Sequence, residues 1–165
     1  MGFAEGVAGI AQRIHGPAPT PLAAGIHEMP WSEFVSSFAT NRQRTQLADA
    51  LHGALIDLRD AGVRDAAIGG SFVTGKTRPG DVDLVFWAGE SLDARRVRSI
   101  QDSLASATPK IDAWGASESV RRPGSFMQMP ALQFFQRNRD GARAGLAKLS
   151  LAEIPAHYQP TPHVG

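Results

Sequence analysis

The sequence predicts a mixed α/β chain, and three observations carry that prediction. A leucine stripe at helical spacing runs through residues 41–61. The run Val82-Asp83-Leu84-Val85-Phe86-Trp87 is dominated by β-branched and aromatic residues, which suit a strand. Shorter strand candidates lie at Asp65–Ile68 and Lys110–Trp114, on either side of helical segments.

Length and composition bound the rest. The 165 residues fit one ordinary domain. With 42% hydrophobic and 20% charged residues the composition reads as soluble and globular. A net charge of +1 exerts no global pull on nucleic acid or membrane. The absence of cysteine excludes a disulfide framework and a thiolate metal site. No apolar run approaches the ~18 residues that a spanning helix needs. The first fifteen residues lack a basic leader followed by an apolar stretch, so no secretory signal is expected, and Gly6 departs from the myristoylation pattern. The expected address is the cytoplasm.

The elements follow in order. Gly16–Pro21 holds three prolines in six residues, which favours an extended connector, so residues 1–22 read as a flexible Gly/Ala/Pro-rich arm. Pro30 starts a short helix whose Trp31, Phe34, Val35 and Phe38 share a face. The helix over 41–61 directs Leu47, Leu51, Leu55 and Leu58 into the core, and Gly62 is its predicted C-cap. Ser91 is the predicted cap of a third helix, with Val97, Ile100 and Leu104 inward and an end near Ala107. Gly115–Gly124 reads as a loop, and Met129–Gln136 suits helix and strand equally. From Ile154 the chain carries three prolines and is expected to fray, leaving 23–153 as the single domain and 154–165 as a Pro-rich tail.

The segment Gly69–Asp83 carries two motifs that exclude each other. Gly70-x4-Gly75-Lys76-Thr77 satisfies the phosphate-loop pattern, which works only if a helix starts at the Lys-Thr end. Arg78-Pro79-Gly80 follows at once, and Pro79 disfavours helical geometry at Arg78, so that context fails. The second motif is Gly70-Ser71, nine residues, then Asp81-x-Asp83. Side chains two apart on a strand project from one face. Two adjacent carboxylates repel unless a cation lies between them, and Mg²⁺ prefers such oxygen ligands. Gly70 lets backbone approach a phosphate, and Ser71 can donate to it. The competing reading is a polar turn at Pro79-Gly80-Asp81. It suits Asp81 but not Asp83, which is flanked by Val82 and Leu84-Val85-Phe86.

Gly70-Ser71 with Asp81-x-Asp83 resembles the signature of the nucleotidyltransferase superfamily, the polymerase-β-like group. The string GSFVTGKTRPGDVD is similar to that of small bacterial and phage proteins carrying GSFVT-x-K-x-x-P-x-D-x-D. Gly25-Ile26-His27 with Trp31–Phe38, and Phe134–Gly141, resemble their entry and C-terminal segments, so the likeness spans about residues 24–150. The resemblance implies a nucleotidyltransferase-type mixed β-sheet packed against helices. It also implies Mg²⁺- or Mn²⁺-dependent transfer of an NMP from an NTP to a hydroxyl, and a third carboxylate on a later strand. Asp112, mid-strand in KIDAW, is the candidate, with an ordinary edge-strand Asp as the competing reading.

The expected set is therefore Asp81, Asp83 and Asp112 as catalytic and metal-binding residues, with Gly70, Ser71, Lys76 and Arg78 on the nucleotide. Arg121, Arg122, Arg137 and Arg139 are further phosphate candidates, although lone charges usually sit on solvated faces. One His near an apolar segment is more often structural, so His27 is read that way, and the histidine spacing fits no zinc site. The acceptor is a protein, an RNA or a small molecule, and relatives of this type imply a toxin–antitoxin or phage setting. The alternative is a non-catalytic nucleotide- or partner-binding module of the same fold.

Overall fold

The computed structural model describes residues 17–121, 124–138 and 140–159. The architecture is mixed α+β. A five-stranded mixed sheet has the order β1-β7-β2-β3-β4, with β1 Gly25–Glu28, β2 Val63–Gly69, β3 Asp81–Ala88, β4 Lys110–Gly115 and β7 Gly145–Ser150. β5 Ser119–Arg121 and β6 Gln128–Pro130 form a separate two-stranded ribbon. The helices are α1 Trp31–Phe38, α2 Arg42–Asp60, α3 Ala94–Ala105 and the single turn α4 Ala131–Phe135. Among the described residues no helix is long and apolar enough to cross a membrane.

The two faces of the sheet have different neighbours. Val82, Leu84 and Phe86 of β3, with Ile111 and Ala113 of β4, join the main core, where Leu47, Leu51, Leu55 and Leu58 of α2 are fully buried. The alternate residues of β3 point the other way. There Val85, with Ala67 and Leu146, packs under Val120, Ala131, Leu132, Phe134 and Phe135 in a smaller cluster. One face thus serves as a conventional helix-covered core, and the other is only partly roofed.

Asn41 caps α2 by accepting from the Arg44 amide at 2.9 Å, and Gly62 ends it at φ +96. A side chain at Gly62 would run into the backbone of Ser91. The cap of α3 is Asp93, which accepts from the Arg96 amide at 3.1 Å, and not Ser91. A carboxylate at that point also complements the positive helix end. Met129–Gln136 divides its ambiguity: strand to Pro130, helix from Ala131.

Ser119–Arg121, inside the stretch Gly115–Gly124 read as a loop, is strand β5 because it pairs with β6, and three further expectations change. β1 and β7 were not anticipated. They pair in parallel from Gly25↔Gly145 to Glu28↔Lys148, and β7 also pairs antiparallel with β2. Residues 17–22, assigned to the arm, lie against the domain. The Leu22 amide donates to Val73 O at 2.9 Å, and Pro17 O accepts from Thr40 Oγ1 at 2.8 Å. Residues 1–16 lie outside the described residues. The start of the tail is packed as well: Ile154 is buried, and Tyr158 meets Trp31 edge-on with ring centroids 5.3 Å apart. Burial, then the charge of Asp49, pushes the Tyr158 phenol up to about 12.

The loop after β2 is tied to α2 by one buried cation. Arg44 is fully buried, and its guanidinium donates to the carbonyls of Phe38, Ser71, Phe72, Thr74 and Lys76. It also lies 5.1 Å from the centre of the Phe72 ring. Burial lowers its pKa to about 10, so it remains a cation at neutral pH. A positive side chain in the first turn of a helix opposes the helix dipole, so specific bonds, not the helix field, hold it. Phe38 O belongs to the negative end of α1, which adds to the attraction. Asn41 Nδ2 donates to Thr77 O at 2.9 Å, and Gln43 Nε2 donates to Pro79 O.

Replacing Arg44 by Met strips several buried carbonyls of their donor at once. The expected loss is about 3–5 kcal/mol of stability in chemical denaturation, with only partial recovery in Arg44→Lys, whose single ammonium lacks the planar fork. A loss under about 1 kcal/mol would show that water replaces the guanidinium without cost.

Candidate metal and phosphate site

The site forms where β2 ends and β3 and β4 begin. β3 and β4 run parallel, with Asp81 opposite Lys110 and Asp83 opposite Asp112. Asp81 and Asp83 share a face of β3, and Asp112 occupies the matching face of β4. One oxygen from each of the three carboxylates lies within 4.8 Å of the others, and all three residues are half-buried. The acids sit on the partly roofed face, which explains how an apolar strand carries them. Val82 and Leu84 point into the core, while Asp81 and Asp83 point into the cleft.

Gly70 and Ser71 face this cluster from the end of β2. Residues Gly70–Val73 form one turn of 3₁₀ helix, and Gly70 has φ +67, a left-handed conformation that favours glycine. A Cβ there would collide with Asp83 Oδ2. Glycine is thus required twice, by the backbone and by the carboxylate beside it. Ser71 O accepts from Thr74 Oγ1 at 2.8 Å and from Arg44, so the turn is fixed from both ends. No helix begins at Lys76; β3 begins at Asp81, and the phosphate-loop geometry is absent.

These groups line a cleft of about 1090 Å³. One wall is polar and holds Gly70, Ser71, Thr74 and Lys76, and the acids lie beside it. The other carries Trp114, Val120, Phe134 and Phe135, with Arg137 and Asn138. Trp114 stands two residues after Asp112 on β4 and shares its face. Lys110 Nζ lies 3.3 Å from Asp112 Oδ2, so the Asp112 carboxylate is paired with a cation of the chain.

The donor set fits a hard divalent cation. It is all oxygen, from three carboxylates, one of which also meets Lys110. The space that a side chain at Gly70 would fill is kept open next to Asp83.

The sequence-predicted residues divide accordingly. Asp81, Asp83, Asp112, Gly70, Ser71 and Lys76 come together, and Arg137 joins them from the far wall. Arg78 is exposed and is not among the residues that line the cleft. Arg121 is exposed on β5, whereas Arg122 and Arg139 lie outside the described residues. The His27 ring bonds to Ala23 O at 2.8 Å, a local structural contact. Sequence reasoning missed Arg44, Trp114 and Asn138. Only Trp114 left a usable signal, its i+2 spacing from Asp112.

Comparison with known proteins gives no match among curated proteins and none among solved structures. A family model matches residues 18–150, a span that includes the Gly70–Asp83 loop, Asp112 and the whole of β7. The chain belongs to that family, a family of unknown function (DUF6932).

Proposed function

We propose that this chain is a metal-dependent nucleotidyltransferase, moving an NMP from an NTP to a hydroxyl of an acceptor. One observation carries the reading: Asp81, Asp83 and Asp112 converge beside Gly70-Ser71. Two acids on one strand would serve a binding module. A third from a neighbouring strand gives the acceptor hydroxyl a carboxylate of its own, which a transfer reaction uses and simple binding does not.

Asp81, Asp83 and Asp112 would hold Mg²⁺ or Mn²⁺, which when bound neutralises triphosphate charge and makes the acceptor hydroxyl more acidic. Gly70 leaves room for phosphate oxygens, and the Ser71 hydroxyl and Lys76 ammonium can donate to them. The aromatic wall at Trp114 and Phe134 offers a flat apolar surface to the nucleoside. In the transfer the acceptor oxygen bonds to the α-phosphorus and its proton passes to Asp112. The bond from that phosphorus to the α–β bridging oxygen breaks, and pyrophosphate leaves with the electron pair. A net charge of +1 weighs toward a protein or small-molecule acceptor over RNA.

Incubation with each labelled NTP, Mg²⁺ and a cell extract tests the reading. Wild type is expected to transfer label, and Asp83→Asn to lose at least about a hundredfold of the rate. Tight NTP binding with no transfer to any acceptor would replace the enzyme with a nucleotide-binding module. Asp112→Asn is expected to abolish transfer while NTP affinity stays within about tenfold, since its carboxylate serves the acceptor more than the triphosphate. In Gly70→Ala the added methyl displaces the Asp83 carboxylate, at a backbone cost of about 1–2 kcal/mol. Mn²⁺ affinity, measured by calorimetry, should fall by about tenfold with the far-UV spectrum unchanged, and unaltered affinity would remove Asp83 from the metal set.

A further inference from the structure

Pro17–Leu22 meets the domain at one place in particular, the loop that carries Lys76. The Leu22 amide donates to Val73 O at 2.9 Å. A Cβ on Gly75 would stand 3.2 Å from Pro21 Cγ, so the segment passes close over that glycine. Pro17 O accepts from Thr40 Oγ1 at 2.8 Å and from Asn41 Nδ2 at 3.4 Å. Asn41 Nδ2 also donates to Thr77 O at 2.9 Å, so one buried side chain ties the segment to the loop. Val73, Gly75 and Thr77 are not among the residues lining the cleft, whereas Thr74 and Lys76 between them are. The carbonyls divide in the same way. Arg44 takes those of Thr74 and Lys76, Leu22 takes that of Val73, and Asn41 takes that of Thr77.

We propose that Pro17–Leu22 is a strap that sets the phosphate loop, with Asn41 a positioning residue that acts through Thr77 on Lys76, so that nucleotide affinity depends on the N-terminal segment. The inference rests on the reading of Lys76 as a phosphate ligand. Thr74–Gly80 belongs to neither helix nor strand, so its backbone is placed by the groups that bond it from outside. Gly75 gives that backbone additional freedom. The Lys76 ammonium sits on a flexible four-carbon stem, and it reaches a phosphate only as well as its backbone is aimed. Pro17, Pro19 and Pro21 stiffen the strap itself, which suits a backing piece tied at both ends. The coupling is reciprocal: a strap that favours nucleotide binding is itself held by bound nucleotide to the same extent.

Calorimetric titration of the full chain with ATP, GTP, CTP and UTP in Mg²⁺, joined to hydrogen exchange at the Leu22 amide, tests this. Thr40→Val loosens the strap alone and is expected to weaken the best-bound NTP by about threefold, the size of one modest hydrogen bond. Asn41→Ser keeps a good cap on α2 but is too short to hold both Thr77 O and Pro17 O, and a loss of about tenfold is expected. Beside Lys76→Met the same Asn41→Ser change should cost less than about twofold, because its effect runs through Lys76. Bound NTP should slow exchange of the Leu22 amide in wild type. Wild-type NTP affinity in both Thr40→Val and Asn41→Ser overturns the proposal and leaves the nucleotidyltransferase reading standing. So does an Asn41→Ser loss that persists in full beside Lys76→Met, or a Leu22 amide indifferent to NTP. Failure of wild type to bind any of the four NTPs overturns the nucleotide reading itself, and this inference with it.

Discussion

The site depends first on the buried Arg44. Its guanidinium is held by backbone carbonyls from two separate parts of the chain, the end of α1 and the loop after β2. A loop of that length carries many polar backbone groups that must be satisfied when buried. Elsewhere such groups pair within helices or sheets. Here they converge on one cation, which accounts for a loop that is irregular and still fixed. The arrangement also resolves the cation's own difficulty. Without acidic partners among its bonds, a buried charge is tolerable because several carbonyl dipoles replace its hydration.

That fixed loop presents Gly70-Ser71 to the acids, and the sheet then supplies the acids in register. Parallel pairing sets Asp83 beside Asp112. Strand alternation places Asp81 on the same side. α1, α2 and α3 take the opposite face, and the short α4 with Val120 covers this one only in part. The asymmetry separates two demands on β3. Val82, Leu84 and Phe86 secure the fold, while Asp81 and Asp83 remain half-buried in the cleft. Register also brings Lys110 to the edge of the cluster, with its Nζ 3.3 Å from Asp112 Oδ2.

The parts legible in the sequence are those with a local period or a local motif. The α2 stripe, the face of α1 and the β3 run follow from spacing alone. So does the rejection of the phosphate loop, because Pro79 acts on its immediate neighbours. What escaped was non-local. β1 and β7 are short, and β7 is bounded by a glycine-rich stretch that reads as loop. They become strands because each finds a partner in the sheet. Leu22, Ile154 and Tyr158 sit in proline-rich segments that look detachable. They are held by apolar contacts with residues far away in the sequence.

The sequence by itself determined the class of the fold, the long helix, and a Gly-Ser and Asp-x-Asp pair whose two acids share one face of one strand. Those features are set within a few residues by backbone sterics and periodicity. Only the tertiary structure decided that Asp112 joins Asp81 and Asp83, that Lys110 accompanies it, and that Arg44 anchors the loop. Each of these depends on strand register or on burial beside a distant segment. A residue's identity does not contain that information until the chain has packed.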